Sequence, residues 1–127
     1  MLHVVESTKP LEQVAKDLEA AVARHQFGVL GVHDLKATMA KKGVEFAREC
    51  RIFEVCNPHQ AKKVLEANLE ISTALPCRIS VYEEGGVTKL ATIQPTAMIA
   101  LYRNPELKGV AAEVEATLDQ IMAEAAR

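Results

Sequence analysis

Two short motifs, each with a cysteine close to a proline, hold the residues of this chain best suited to chemistry. They read Cys56-Asn57-Pro58-His59 and Leu75-Pro76-Cys77-Arg78. Each cysteine lies where a strand pattern meets a break, so the two thiols could meet at one end of a sheet. Two neighbouring thiols can share a soft ligand, exchange a disulfide or simply pack as small apolar groups.

The first motif predicts a helix that starts directly after Cys56. Asn57 is a good N-cap, Pro58 suits the first helical position, and Gln60 completes a capping-box arrangement. Free amides and the positive end of the helix dipole favour an anion, so this placement would lower the pKa of Cys56 and raise its reactivity. Sequence position alone favours the other interpretation, in which Cys56 is only a small buried apolar residue at a strand end.

Cys77 shares a strand face with Ile79 and Val81, so by itself it is interpreted as a core residue. It becomes a candidate site residue only if the topology brings it close to Cys56. If the chain runs back over residues 70–76, the next strand pairs antiparallel and begins beside Cys56. A helix of about 12 residues spans ~18 Å, which about seven extended residues can cover in return. A parallel crossover would instead separate the thiols. We therefore predict a ligand-binding site formed by Cys56, Asn57, Pro58, Leu75, Pro76 and Cys77.

The other candidate residues near these motifs are weaker. Cys50 lies about 20 Å from Cys56 along the same predicted strand, so we interpret it as structural. His59 forms a Cys-x-x-His spacing with Cys56, and Cys77 would add a third ligand, but structural zinc requires four ligands. We therefore predict no metal site and place His59 on the solvent side of a helix. Arg78 is expected on the strand face opposite Cys77.

Length and composition predict one ordinary globular domain over residues 1–127. The 127 residues are 49% hydrophobic and 25% charged, with a formal net charge of −2. Without a basic stripe, nucleic acid is not an expected partner. No apolar run reaches the ~18 residues of a membrane helix, and the first residues lack the pattern of a signal peptide. Three cysteines argue against a disulfide framework, and we expect a cytoplasmic protein.

Hydrophobic periodicity predicts the order β-α-β-β-α-β-β-α. The predicted strands contain residues 2–5, 28–36, 47–56, 77–82 and 87–93, and Glu84-Gly85-Gly86 joins the last two as a hairpin. Helical spacing follows residues 11–22, 61–68 and 107–121, while 36–43 is a polar segment. Five side chains of these helices are expected to face the sheet: Leu18, Val22, Leu65, Val114 and Leu118.

These elements predict an α+β fold, with an antiparallel sheet of about five strands and all helices on one face. Short connections between consecutive strands favour antiparallel pairing. Three helices that each have one apolar face need a common face of the sheet to cover. The other face would be partly apolar, with Tyr82 and Leu90 among the positions that need cover. We therefore expect a homodimer.

The sequence lacks the standard phosphate-binding and nucleophile-elbow motifs, but it resembles domain-of-unknown-function family 302. The resemblance covers essentially the whole chain. Its motifs occur in order: residues 27–30, 34–38, Cys56-Asn57-Pro58, Leu75-Pro76-Cys77, 81–83, Pro95 with Met98, and 110–114. It implies a small α+β domain, often homodimeric, without an established activity, and it raises Cys56 and Cys77 above ordinary core thiols.

Two functions remain open at this point. The first is a dimeric binding module that holds a small ligand, an anion or a soft metal near Cys56 and Cys77. The second is a thiol-based redox protein or enzyme in which Cys56 attacks and Cys77 resolves. We favour the first, because a catalytic cysteine normally has an identifiable base, and His59 would have to fold back to serve as one. The sequence names no cofactor and no catalytic residue.

Overall fold

The computed structural model describes all of residues 1–127. Its strands are β1 (Leu2–Ser7), β2 (Gly28–Asp34), β3 (Cys50–Cys56), β4 (Cys77–Glu84) and β5 (Val87–Ile93). Its α-helices are α1 (Leu11–Arg24), α2 (Leu35–Lys41), α3 (Pro58–Ala67), α4 (Pro95–Ile99) and α5 (Lys108–Ala126). None of the helices combines the length and the apolar character that crossing a membrane requires.

The five strands form one antiparallel sheet in the order β1-β5-β4-β3-β2. This confirms the predicted α+β fold and its sheet. Gly85 and Gly86 form the two-residue turn between β4 and β5, with φ values of 61° and 77°. Two successive positive φ values are what a tight hairpin turn requires, which explains the glycine pair.

Two short helices are missing from the sequence prediction. The segment 36–43 was predicted only as a polar segment, but α2 occupies most of it. Asp34 explains why α2 begins at Leu35, because Asp34 is the N-cap and its Oδ1 accepts a hydrogen bond of 3.0 Å from the backbone N–H of Ala37. The second short helix, α4, begins at Pro95, which suits a first helical position.

The main core lies between the sheet and the packed pair α1 and α5. Leu18, Val22 and Leu118 are fully buried there, as predicted. Val114 is only half-buried at the edge of this core. The prediction for Leu65 was wrong, because Leu65 packs in a separate group at the end of the sheet.

We call that separate group the small cluster. It consists of the buried Val64, Ile71 and Leu107, with half-buried apolar side chains packed around them: Leu65, Leu75, Ile99, Tyr102 and Val110. Its members come from α3, the 3-10 turn Leu69–Ala74 and the residue after it, the end of α4, the segment that follows α4 and the start of α5. The small cluster therefore closes one end of the sheet.

The second sheet face carries no helix, and we call it the open face. Exposed apolar side chains occur where β1 pairs with β5: Leu2 is opposite Ile93, and Val4 is opposite Ala91. Tyr82 lies half-buried on the same face. The assignment of Leu90 to this face was wrong, because Leu90 pairs with Val81 and is fully buried under the helices.

Candidate functional site

The end of β3 and the start of β4 bring the two cysteine motifs together. Val55 is the register partner of Cys77, and Cys56 is the next residue of β3, opposite Gly28 of β2. The predicted antiparallel return is therefore confirmed. Ladder geometry places the α-carbons of Cys56 and Cys77 roughly 6 Å apart. Both cysteines are free thiols.

The helix after Cys56 starts as predicted. Oδ1 of Asn57 accepts hydrogen bonds from the backbone N–H groups of His59 (3.0 Å) and Gln60 (3.3 Å), and Pro58 occupies the first turn. The predicted capping box is wrong, because the side chain of Gln60 does not return to the start of its own helix. Its Nε2 instead donates to Oε2 of Glu113 on α5, at 3.2 Å.

Both thiols line a cavity of about 70 Å³, which we call the thiol cavity. Eighteen residues line it, and fifteen of them are hydrophobic. They come from the residue before β2, the end of β3, the start of β4, α3, the segment 71–75, the segment 95–102 and α5. No charged side chain is among them, so the cavity offers an apolar and electrically neutral surface.

Burial raises the pKa of both thiols. Desolvation is the main reason that the pKa of Cys77 rises to about 11, and the nearby charge of a Cys56 thiolate adds to it. Desolvation also raises the pKa of Cys56. The interpretation in which the helix start lowers the pKa of Cys56 was wrong, and the amides at the start of α3 that would stabilise a thiolate already donate to Asn57. Both thiols are therefore protonated at neutral pH.

The predicted site residues fall into two groups. Cys56, Asn57, Leu75 and Cys77 line the thiol cavity. Pro58 is exposed on α3 and does not line it. Pro76, whose peptide bond with Leu75 is cis, lies instead along a neighbouring depression on the surface.

The remaining candidates lie away from the cavity. Cys50 is at the opposite end of β3, where its sulfur is 3.9 Å from Oγ of Ser80. His59 is exposed, and no group of three or more His, Cys, Asp or Glu side chains is arranged to hold a metal ion. Arg78 is exposed on the open face, as predicted, and its Nε lies 3.6 Å from Oε2 of Glu54.

Sequence reasoning missed most of the cavity wall. Met98, Ile99 and Tyr102 come from a segment for which no element was predicted, and only the resemblance motif of Pro95 with Met98 indicated it. Gln60 was interpreted as part of a cap. In the structure it is the cavity residue with an unsatisfied polar atom, because its Oε1 is buried without a hydrogen-bond partner.

Comparison with known proteins agrees with this fold. No curated protein matches the chain. One solved structure, the crystal structure of an uncharacterized conserved DUF302 protein from Bacillus stearothermophilus, is 32% identical in sequence. It superposes with a TM-score of 0.93 and covers 99% of this chain and 98% of its own. The family model for the domain of unknown function DUF302 matches residues 3–125. The chain belongs to the DUF302 family.

Proposed function

We propose that the protein is a binding module that takes a small neutral molecule into the thiol cavity. The single observation that carries this proposal is an apolar cavity whose wall holds both family motif cysteines. Ligand sites are typically concave and mostly apolar, with a few polar groups that fix orientation. At about 70 Å³, the cavity is roughly half the size of an engineered apolar cavity of ~150 Å³ that binds benzene.

The neutral wall favours this ligand class over an anion or a soft metal. An anion would lose its hydration in a cavity without a lysine, arginine or histidine side chain to replace it. A soft metal would require thiolates, and burial raises the pKa of both thiols. A neutral ligand carries neither cost.

A fragment titration tests the proposal. Furan, pyrrole and thiophene are small neutral rings, and we expect at least one of them to shift the amide resonances of cavity residues in NMR spectra. Ala111→Leu places a larger side chain at a buried position of the cavity wall and should abolish these shifts. Ala112→Leu is the matched control, because Ala112 is the next residue of α5 and is exposed.

Two results would contradict the proposal. Either none of the three rings perturbs the cavity residues of the wild-type protein, or Ala111→Leu binds as well as Ala112→Leu.

The closeness of Cys56 and Cys77 favours a second candidate, a thiol redox protein. Here Cys56 would attack a disulfide of a substrate and Cys77 would resolve the mixed disulfide, leaving a Cys56–Cys77 disulfide and a reduced substrate. The raised pKa of Cys56 weighs against this chemistry, because the thiolate is the nucleophile. Three free thiols are typical of a reducing compartment, and we expect the protein in the cytoplasm.

A thiol count separates the two candidates. In a Cys50→Ser background, diamide treatment followed by removal of the oxidant should leave both remaining thiols free if the protein only binds a ligand. Reversible loss of two thiols, confirmed as an intramolecular disulfide by mass spectrometry, would favour the redox protein.

We also propose that two copies associate through their open faces. Leu2 and Ile93, which are 65% and 47% exposed, form an apolar patch with Val4. The charged groups of this face are already paired, with Glu54 held by His33 at 2.8 Å and Lys89 by Glu84 at 3.0 Å. A second copy therefore covers apolar surface without leaving unpaired charges buried, and a two-fold contact can use the same patch on both copies.

Sedimentation equilibrium tests the association. We expect twice the chain mass of 13.9 kDa for the wild-type protein. Ile93→Lys should shift the equilibrium to the monomer, whereas Leu101→Lys, at an exposed position outside the sheet, should not. A wild-type protein that stays monomeric at tens of micromolar would refute the dimer.

A further inference from the structure

Two short segments that form part of the wall of the thiol cavity are only loosely held together. Six lining residues come from them: Ile71, Ala74 and Leu75 from segment 69–75, and Met98, Ile99 and Tyr102 from segment 98–102. No backbone hydrogen bond joins the two segments. Regions with few buried contacts open locally at a lower cost in free energy than the main core does. This part of the wall is therefore where the cavity can open.

One side-chain hydrogen bond joins the two segments. Oγ1 of Thr73 lies 2.6 Å from the hydroxyl oxygen of Tyr102. Because Oγ1 of Thr73 already donates to the carbonyl oxygen of Glu70, at 2.7 Å, it accepts the hydrogen bond from Tyr102. Tyr102 lines the cavity, whereas Thr73 is exposed and does not line it. The hydrogen bond therefore lies between the cavity and the solvent.

Segment 98–102 lies between two points that are fixed to other elements. Before it, Oε1 of Glu115 on α5 accepts hydrogen bonds from the backbone N–H (3.1 Å) and the hydroxyl (2.6 Å) of Thr96. After it, Nδ2 of Asn68 donates to Oδ1 of Asn104 at 2.9 Å. Loss of the Thr73–Tyr102 hydrogen bond therefore frees the middle of this stretch while both of its ends stay in place.

The neighbouring depression on the surface borders the same part of the wall. Thr73 lines the depression, and Ala74, Leu75 and Met98 line both the depression and the thiol cavity. These three side chains therefore separate the two spaces. Met98 is the most adaptable of them, because a methionine side chain has three rotatable bonds. A route from the depression into the cavity passes between Leu75 and Met98.

We propose that a ligand enters the thiol cavity from this depression, and that the Thr73–Tyr102 hydrogen bond controls how often the route is open. When the bond breaks, segment 98–102 moves away from segment 69–75, and the side chains of Leu75 and Met98 part. This inference rests on the proposed binding function and adds the way in which the site is reached.

Alkylation of Cys77 tests the proposed route without any ligand, because Cys77 lines the cavity. Iodoacetamide at pH 9 is the probe, in a Cys50→Ser background, and mass spectrometry of the modified peptide gives the rate. Where opening is fast relative to the chemical step, this rate follows the population of the open state. Tyr102→Phe keeps the ring and removes the hydroxyl, so we expect alkylation roughly threefold to tenfold faster than in the wild-type protein.

Three further variants assign the effect to the hydrogen bond. Thr73→Val removes the acceptor and should accelerate alkylation as Tyr102→Phe does, whereas Thr73→Ser keeps a hydroxyl and should retain the wild-type rate. Tyr82→Phe is the matched control, because Tyr82 lies on the open face and does not line the cavity. Hydrogen exchange of the Val81 amide, in the buried middle of β4, should be the same in all variants.

Ligand kinetics give a second measurement. For whichever of furan, pyrrole and thiophene binds, NMR exchange measures the rates of association and dissociation. Thr73 does not line the cavity, so Thr73→Val should raise both rates roughly threefold to tenfold and leave their ratio, the Kd, within about twofold.

The outcomes separate this inference from the proposed function. Unchanged alkylation of Cys77 in Tyr102→Phe and Thr73→Val would overturn the route and leave the binding module intact. An equal rise in Tyr82→Phe, or faster exchange of the Val81 amide, would show general loosening of the fold and would also overturn it. Failure of all three rings to bind would overturn the proposed function, and the alkylation rates would still decide whether the cavity opens here. If Tyr102→Phe fails to fold, Thr73→Val decides.

Discussion

The main core and the small cluster are both apolar, yet they are packed differently. Under α1 and α5, sixteen buried residues form one continuous group against the sheet. At the end of the sheet, only three residues of the small cluster are buried, the others are half-buried, and a cavity of about 70 Å³ remains between them. The same kinds of side chain thus fill space in one region and enclose space in the other.

The origin of the elements explains this difference. Two long helices with continuous apolar faces cover the middle of the sheet, so their side chains interdigitate over many turns. The small cluster is assembled from α3, the end of α4, the start of α5 and three short 3-10 turns, which are Leu69–Ala74, Ala100–Tyr102 and Pro105–Leu107. None of these short pieces can cover a sheet by itself. We infer that the first region stabilises the fold, and that the second gives up stability for the proposed binding site.

Truncation of leucines is the strongest test of this contrast. Leu118 is fully buried in the main core, so Leu118→Ala should lower the free energy of unfolding by about 2–5 kcal/mol. Leu65→Ala should cost clearly less, because Leu65 is only half-buried in the small cluster. Urea denaturation measures both changes, with the exposed Leu101→Ala as a control. Equal losses of unfolding free energy at positions 118 and 65 would mean that the two regions contribute equally to stability.

The pH dependence of Cys77 alkylation tests how far solvent is excluded from the wall of the cavity. With a pKa of about 11, its alkylation by iodoacetamide should rise about 100-fold between pH 8 and pH 10 in a Cys50→Ser background. An ordinary thiol, with a pKa near 8.5, gains only about fourfold over this range. Mass spectrometry of the modified peptide follows the rate, and the urea-unfolded protein is the control. A plateau near pH 9 would show that water reaches Cys77 freely.

The sequence predicted the main core better than the cavity, and periodicity is the reason. The spacing of Leu18, Val22 and Leu118 follows directly from the geometry of a helix on a sheet. The cavity wall combines segments such as 95–102, which are too short to show a period, and it depends on contacts across many residues. The Asn57 cap was predictable because it is local, but the turn of Gln60 towards Glu113 was not, since 53 residues separate the two.

Enlarging an alanine should have opposite effects in the two regions. Ala21→Leu adds volume to the filled main core, where Ala21 is fully buried, and should cost about 1–3 kcal/mol. Ala111→Leu adds the same groups at the cavity wall and should be neutral, or should stabilise by about 0.5–2 kcal/mol. Thermal unfolding measures both. A loss of stability in Ala111→Leu as large as in Ala21→Leu would show that the cavity cannot accept added groups.

The smallest expected effect concerns the ion pairs that join α1 to α5 over the main core. Glu124 of α5 pairs with His25 and, at 3.0 Å, with Arg24 of α1, and these contacts, led by the His25 hydrogen bond, lower the pKa of Glu124. A carboxylate with a lowered folded-state pKa stabilises the fold above its unfolded-state pKa of about 4.3, and this stability is lost as the pH falls through the folded-state value. Glu124→Gln should therefore weaken the acid dependence of unfolding below about pH 5.

Glu19→Gln, at an exposed position of α1 without an ion pair, is the control and should keep the wild-type acid dependence. Because Glu124 is accessible to solvent, the difference should be small, and identical acid profiles for wild type and Glu124→Gln would show that packing of α1 on α5 suffices to hold this region together.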